Sequence, residues 1–163
     1  MRSPSDIERV VGTHADAVWR VCALYFPSEA DRQDAFQETF VAYACAESTV
    51  FADGEHEKAW LLRVAANKCK DMLRAASRRD LSLDQADNAM ALTCGNSEEQ
   101  PGSETFMVME AMRGLDDPPR TPLYLSLVEG YTAREIAALV DAPANTVSSW
   151  ITRGRALLKE ALS

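Results

Sequence analysis

The chain has 163 residues and a formal net charge of −8, which allows one ordinary domain or two small ones and argues against a general nucleic-acid coat. Ala, Leu, Glu and Arg dominate the composition, which favours helices. No apolar run approaches the roughly 20 residues of a membrane span, and the N-terminus lacks the apolar core of a signal peptide. We therefore expect an all-α, cytoplasmic protein without membrane insertion.

The four cysteines do not form a metal-binding or redox motif. No C-x-x-C pair is present, and no histidine stands close enough to complete a zinc pattern. Cys22, Cys45 and Cys69 lie on predicted helix stripes, so we expect them in the core, whereas Cys94 lies in a polar stretch and should be exposed. We expect no metal and no cofactor.

The first predicted helix runs from Ser5 to Tyr25. Ser5 and Glu8 have the spacing of a capping box. Apolar residues at helical spacing predict a buried face, and they are Ile7, Val11, Val18, Cys22 and Tyr25. His14 lies on the same stripe, and we interpret it as a core histidine with a satisfied ring rather than as a ligand.

The second predicted helix begins after Ser28, whose spacing to Asp31 resembles an N-terminal cap, and ends near Ala46. Its polar side carries Asp34, Gln37 and Glu38, beside Phe36 and Phe40 on the apolar side. The stretch "STVFADGEHE" then breaks the pattern, and its Asp-Gly pair predicts a turn within a loop.

A long helix is predicted from about Glu57 to Arg78. One face is apolar, and it carries Leu61, Ala65, Cys69, Met72 and Ala76. A second face holds residues spaced i, i+4, i+7 and i+11, namely Arg63, Asn67, Lys70 and Arg74. We call this second set the basic ridge. A merely solvated helix face is the alternative interpretation of it.

Residues 80–102 are rich in Asp, Asn, Ser and Gly and predict an acidic linker between residues 1–79 and a second domain, residues 103–163. That domain is predicted to begin with a helix from near Ser103 to Gly114. An Asp-Asp-Pro-Pro break follows, and then a helix from about Arg120 to Leu127 that ends at Gly130.

The last residues form a helix-turn-helix pattern. Thr132 and Glu135 make a capping box, "DAPA" makes the turn, and Ala144 or Asn145 begins the closing helix. We expect its inward residues to be Val147, Ile151, Gly154 and Leu158. DNA contacts would then fall to Asn145, Thr146, Ser148, Ser149, Thr152, Arg153 and Arg155, whereas Trp150 is expected to pack. A helical hairpin without a DNA role shares much of this pattern.

Three stretches together resemble bacterial sigma factors of the extracytoplasmic-function (ECF) group of the sigma-70 family. They are "DRQDAFQETFVAYA", "FADGEHEKAWLLRVAANKCKDMLR" and "LVEGYTAREIAALVDAPANTVSSWITRGRALLKEAL". They occur in the family's order and cover most of the chain. Two departures are visible: Asp141 stands where a turn glycine is common, and Ser148 and Trp150 stand where many members carry a basic residue.

The resemblance implies partners and residue roles. Core RNA polymerase would be bound through its beta-prime clamp helices, by Asp34, Gln37, Glu38 and Phe40, and through its beta flap. The loop residues Phe51, Asp53 and Gly54 would capture a flipped base of the minus-ten promoter element, and the basic ridge would hold that element. The helix-turn-helix would recognise the minus-thirty-five element. An anti-sigma partner, which could hold the protein near the membrane, is also implied.

The leading hypothesis is therefore an alternative sigma factor that binds core polymerase, recognises a promoter and opens it. The runner-up is a stand-alone helix-turn-helix regulator, although such a protein has no use for "QETF" beside a basic helix. A helical protein–protein adaptor comes third, and a metalloenzyme is remote. No nucleophile–base pair, metal cluster or phosphate loop is visible, so we expect no enzymatic activity and no small-molecule substrate.

Overall fold

The computed structural model describes residues 1–82 and 103–163, and within these ranges the regular structure is entirely helical. The chain divides into two compact units. The first unit contains α1 (Pro4–Tyr25), α2 (Glu29–Cys45) and α3 (Gly54–Ser82). The second unit contains α4 (Glu104–Arg113), α5 (Arg120–Leu127), α6 (Ala133–Val140) and α7 (Ala144–Leu162). No described helix has the length and apolar character needed to cross a membrane.

Helix α1 begins one residue earlier than the sequence predicts. The side chain of Ser3, not Ser5, accepts a hydrogen bond from the Asp6 backbone N–H, and Pro4 takes the first helical position. The predicted Ser5–Glu8 capping box is therefore wrong. A proline suits the first turn because its missing N–H has no partner within the helix there.

Helix α2 has the predicted cap: the Ser28 side chain accepts a hydrogen bond from the Asp31 N–H. The following loop is shorter than predicted, because α3 begins at Gly54 and includes the end of "STVFADGEHE". Asp53 starts that helix, since its Oδ1 accepts from the His56 N–H at 2.9 Å. At its other end α3 continues to Ser82, past the predicted limit of Arg78.

The three helices of the first unit pack around one core. Val10, Val18 and Cys22 of α1 are fully buried, and Leu61, Ala65 and Cys69 of α3 are buried against them. Cys45 is exposed at the end of α2, so its predicted place in the core is wrong. Cys94 and residues 83–102 of the predicted linker lie outside the described residues.

The second unit confirms most of the predicted elements. Ser103 caps α4 through a hydrogen bond from Phe106 N–H, and Gly114 is the C-cap of α4. Met109 and Met112 of α4 are buried together with Leu123 and Tyr124 of α5. Helix α5 ends with Val128 as its C-cap, and Gly130 lies two residues beyond it with a positive φ of 80°.

The helix-turn-helix has the predicted geometry. Both hydrogen bonds of the Thr132–Glu135 capping box are present, and α7 begins at Ala144. A Cβ on buried Gly154 would lie 3.2 Å from side-chain atoms of Leu123, which is tighter than most Cβ contacts. Gly154 therefore lets α7 approach α5 closely.

Asp141 closes α6 in the left-handed conformation, with φ 59° and ψ 54°. This conformation costs energy for any residue with a Cβ, although Asp tolerates it better than most. The carboxylate also lies at the negative end of the α6 dipole, where a negative charge is unfavourable.

We predict that Asp141→Gly and Asp141→Asn each stabilise the second unit, by about 0.5–1 kcal/mol. Thermal unfolding followed by circular dichroism measures the change. Ala138→Gly is the matched control, because Ala138 is exposed within α6 and glycine there should destabilise by about 1 kcal/mol. A loss of stability in the Asp141→Gly protein would contradict the assignment of strain to this turn.

Candidate nucleic-acid interface

The acidic face of α2 presents three of the four predicted polymerase contacts to solvent. Asp34, Gln37 and Glu38 are exposed, whereas only 7% of Phe40 is accessible. The Phe40 ring packs against Phe36 with ring centres 5.0 Å apart. Phe40 therefore lies on the packed side of α2 and supports this face through its contact with Phe36. The apolar side chain available for contact is its neighbour Val41, which is 60% exposed.

An open groove of about 570 Å³ runs beside this face, between α2 and α3. Asp34, Glu38 and Val41 line it from α2, and Lys68 and Met72 line it from α3. Lys68 Nζ lies 3.8 Å from Glu38 Oε1. Because Glu38 is exposed and the two charged atoms are far apart for an ion pair, the pair contributes little to stability, and Glu38 remains available to a partner.

The loop between α2 and α3 is organised by aromatic stacking. The Phe51 ring stacks on Tyr43 with centres 6.1 Å apart and an interplanar angle of 17°. Trp60 and His56 of α3 meet the Phe51 ring edge-on, at 5.7 Å and 5.4 Å. Val50, by contrast, is 84% exposed beside the half-buried Phe51. The loop thus has a packed part around Phe51 and an exposed part at Val50.

Asp53 and His56 hold the end of this loop to the start of α3. His56 Nδ1 accepts a hydrogen bond from the Ala52 N–H at 3.0 Å, and Asp53 caps the helix. Gly54 is the first helical residue and is exposed. The Asp53 carboxylate is therefore used within the protein as a helix cap.

A buried carboxylate, Glu57, lies directly below the loop. It is 5% exposed, and its oxygens receive Arg9 Nη2 at 3.1 Å, His14 Nε2 at 3.2 Å and the Tyr43 hydroxyl at 3.2 Å. Tyr43 also lies 3.0 Å from Asp6 Oδ2. These residues come from α1, α2 and α3, so the network joins all three helices. The prediction that His14 is a satisfied core histidine is confirmed.

The network sets the protonation of its members. Burial by itself would raise the pKa of the Glu57 carboxyl, but hydrogen bonds from Arg9, His14 and Tyr43 outweigh burial and hold this pKa below its usual 4.5. Burial and the neighbouring Asp6 and Glu57 carboxylates raise the pKa of Tyr43 to about 12. At neutral pH Glu57 is therefore an acceptor and Tyr43 a donor.

The basic ridge lies along one side of α3. Arg63, Asn67 and Arg74 are exposed and Lys70 is half-buried. Arg74 Nη2 bonds to Asp71 Oδ1 at 2.8 Å, which partly neutralises the C-terminal end of the ridge. Arg63, near the loop, is the exposed cation closest to the aromatic cluster along the helix, and charge of this kind suits a nucleic-acid backbone.

In the helix-turn-helix, the inward residues of α7 are those predicted: Val147, Ile151, Gly154 and Leu158 are buried. Six predicted DNA contacts are exposed, namely Asn145, Ser148, Ser149, Thr152, Arg153 and Arg155. Thr146 and Trp150 are half-buried. The outer face of α7 is therefore polar and small near its start, and basic only from Arg153 onward.

Sequence reasoning missed the Glu57 network, because the contacts join residues that are 43 and 48 positions apart. The available signal was His14 on an apolar stripe, since a buried imidazole needs a polar partner. Arg2 was also missed, and its contacts are described below.

The geometry defines a class of protein: a helical unit with an acidic face, an aromatic loop and a basic ridge, together with a unit that carries a helix-turn-helix of the kind found in DNA-binding proteins. Comparison with known proteins gives the family. Residues 10–79 match the model of Sigma-70 region 2, and residues 105–158 match that of Sigma-70, region 4.

Individual relatives agree with these matches. The ECF RNA polymerase sigma-E factor of Escherichia coli (strain K12) is 34% identical over 142 residues, which cover 80% of this chain and 73% of the relative. The Haemophilus influenzae ECF RNA polymerase sigma-E factor is 29% identical over 148 residues, covering 84% of this chain and 77% of the relative. The chain therefore belongs to the ECF sigma factors of the sigma-70 family, and it is an alternative sigma factor that directs RNA polymerase to promoters.

Solved structures confirm the predicted all-helical, two-domain fold. The sigma factor RpoE from Bartonella quintana, in complex with the anti-sigma factor NepR, superposes with a TM-score of 0.79 at 19% identity and covers 96% of each chain. CnrH, in complex with the cytosolic domain of CnrY, gives a TM-score of 0.65 at 24% identity, covering 98% of this chain and 89% of CnrH.

We predict that Glu57→Gln destabilises the first unit by about 1–3 kcal/mol at pH 7, because a neutral amide replaces the carboxylate to which Arg9 and His14 are hydrogen-bonded. The Glu57 pKa is depressed on folding, so its contribution is complete above pH 4.5 and is lost as the pH falls through the lower folded value. The difference between variant and parent should therefore shrink in acid.

Urea unfolding at pH 7 and pH 4 measures this, followed by tryptophan fluorescence, since Trp19 and Trp60 lie in the first unit. Glu55→Gln is the matched control, because Glu55 is an exposed carboxylate in the same helical turn. Equal effects of the two substitutions at pH 7 would refute a structural role for the buried carboxylate.

Proposed function

We propose that the two units divide promoter recognition between them. The first unit, predicted as residues 1–79 and extended by α3 to Ser82, would bind core polymerase and the minus-ten element. The second unit, residues 103–163, would bind the minus-thirty-five element. The observation that carries this proposal is the arrangement of the first unit, where an acidic face, an aromatic loop and a basic ridge occupy two adjacent helices.

The acidic face suits the beta-prime clamp helices of polymerase. Asp34, Gln37 and Glu38 are exposed acceptors and Val41 adds an apolar contact beside them. An apolar centre with a polar rim is the usual construction of a protein–protein interface. Because Phe40 is buried, it would act here by holding α2 in place and not by touching polymerase.

The loop and the basic ridge suit a melted minus-ten strand. Proteins bind single-stranded DNA with side chains that contact the bases and with cations that lie along the phosphate backbone. The loop around Phe51 offers the first, and the ridge with Arg63, Asn67 and Lys70 offers the second. Capturing an unpaired base would offset part of the few kcal/mol that extruding it from the duplex costs.

The outer face of α7 suits the major groove of the minus-thirty-five element. Arg153 and Arg155 are exposed cations for phosphate or guanine, and Asn145, Ser149 and Thr152 are exposed hydrogen-bonding groups. The beta flap of polymerase is the expected second partner of this unit.

An anti-sigma protein is the proposed regulator. RpoE of Bartonella quintana is seen in complex with the anti-sigma factor NepR, and CnrH is seen in complex with the cytosolic domain of CnrY. A similar partner would cover the acidic face and the helix-turn-helix of this chain. We infer that the chain acts in the cytoplasm and is held near the membrane when that partner is membrane-bound.

In-vitro transcription with core polymerase and a promoter library tests the proposal as a whole. We expect transcripts from a small set of promoters that share minus-ten and minus-thirty-five elements. Tight sequence-specific binding to duplex DNA without polymerase, and no effect of the chain on core polymerase, would instead favour a stand-alone regulator.

We predict that Glu38→Arg weakens binding to core polymerase by about tenfold or more, because it reverses a charge on the acidic face and repels Lys68. Affinity for fluorescently labelled core polymerase measures the effect. Glu8→Arg is the matched control, since Glu8 is an exposed carboxylate on α1. If Glu38→Arg binds as tightly as the control, α2 is not the polymerase contact.

We predict that Arg63→Glu with Arg74→Glu impairs promoter opening while polymerase binding stays within about twofold, because only backbone phosphate contacts are lost. Permanganate footprinting of the minus-ten region measures opening. Arg153→Glu is a useful comparison, since it should weaken binding to the duplex minus-thirty-five element and leave binding to a premelted minus-ten strand unchanged. Normal opening by the double variant would remove the ridge from the proposed interface.

A further inference from the structure

The side chain of Arg2 is hydrogen-bonded to the end of α2 and to the loop between α2 and α3. Its Nε donates to the Tyr43 carbonyl at 3.1 Å, and its Nη2 donates to the carbonyls of Ala46 and Thr49, each at 2.7 Å. The Arg2 backbone N–H also donates to the Ala44 carbonyl at 2.9 Å. The side chain is only 13% exposed. One residue thus binds both the end of α2 and the loop that follows.

These bonds add to the pairing of carbonyls at and just beyond the end of α2, where Tyr43 and Ala46 each also accept a backbone N–H. The last carbonyls of a helix have no partner within it and carry partial negative charge, which a cation stabilises. Helix α2 has no basic residue in its own last turn. Arg2, which precedes α1, supplies the missing cation from a distant part of the sequence.

The guanidinium of Arg2 also packs on the aromatic cluster. Its central carbon lies 4.3 Å from the centre of the Tyr43 ring and 5.5 Å from that of Phe51. Cation–π contacts at such distances are favourable, and more so when the cation is shielded from water. Arg2 therefore fixes both the backbone of the loop and the ring of Phe51.

We propose that Arg2 is a positioning residue for promoter opening: it holds the loop and Phe51 in the conformation that receives an unpaired base of the minus-ten element. This inference rests on the proposed function of the loop. Arginine is required because its planar fork reaches three carbonyls while its face stacks on the rings, which a lysine ammonium cannot do together.

The test uses the full chain with core polymerase and a promoter taken from the library. Arg2→Gln removes the charge and the fork, and Arg2→Lys retains the charge alone. Arg32→Gln is the matched control: Arg32 Nε donates to the Phe26 carbonyl at 2.7 Å, at the end of α1, and Arg32 lies in the first turn of α2, at the opposite end of that helix from the loop. Polymerase binding and thermal stability are measured for each variant.

We expect Arg2→Gln to reduce open-complex formation by about tenfold, Arg2→Lys to give an intermediate loss, and both to bind core polymerase as the parent does. Arg32→Gln should open the promoter normally. If Arg2→Gln does not fold, the prediction is judged on Arg2→Lys. Normal opening by the folded Arg2 variants would overturn the proposal.

A second template separates positioning from general support of the fold. Abasic sites are placed in turn at each position of the minus-ten non-template strand, and the site that most weakens opening by the parent is chosen. On that template the Arg2 variants should lose nothing further, because there is no base for the loop to receive. An equal loss on both templates, or a parent insensitive to every abasic site, would overturn the inference. If the parent opens no promoter at all, the proposed function fails, and this inference with it.

Discussion

The arrangement of the first unit depends on one buried carboxylate. Glu57 is only 5% exposed, and an ionised group buried without partners would be very costly. It is stable there because α1 supplies Arg9 and His14 and α2 supplies Tyr43. Meeting this requirement fixes the start of α3 relative to both other helices, and the start of α3 is where the loop with Phe51 ends. The electrostatic constraint in the interior and the geometry of the proposed base-binding loop are therefore linked.

The same linkage connects the interior of the first unit to its surface loop. Tyr43 contacts Glu57 through its hydroxyl and Phe51 through its ring, so a single side chain connects the buried network to the surface loop. Its pKa, raised to about 12, keeps the hydroxyl a donor at any physiological pH. The proposed capture of a base by this loop would need a rigid support, and aromatic rings packed on a hydrogen-bonded network provide one with little conformational freedom to lose.

Local and periodic features could be predicted from the sequence. The Thr132–Glu135 capping box and the buried stripe from Val147 to Leu158 were correct because spacing alone determines which helical residues share a face. Two kinds of feature could not be predicted. A cap such as Ser3 competes with Ser5 only two residues away, and the neighbouring Pro4 decides between them. Contacts such as Arg2 with Thr49 join distant residues whose pairing leaves no periodic trace.

Site residues were predicted unevenly for the same reason. A helical pattern distinguishes a polar side from an apolar side, and it placed Asp34, Gln37 and Glu38 correctly on the surface of α2. The same pattern put Phe40 on the apolar side, where it is buried; its expected contact with polymerase came from the family resemblance, and the exposed apolar residue is its neighbour Val41. Cys45 was misplaced because it lies at the last residue of α2, where the core no longer covers the helix.

The outer face of α7 carries little positive charge, and the way in which such a protein would reach DNA explains this. A free regulator must obtain its affinity from its own cations, whereas a factor tethered to polymerase meets the promoter at a high effective concentration. The outer face of the first two turns of α7 can then consist of small polar groups, with Arg153 and Arg155 following later along the helix. Fewer phosphate contacts also mean a shallower dependence of binding on salt. The acidic surface that would hinder a free DNA-binding protein is tolerable here, because in the proposed complex part of it faces polymerase instead of the phosphate backbone.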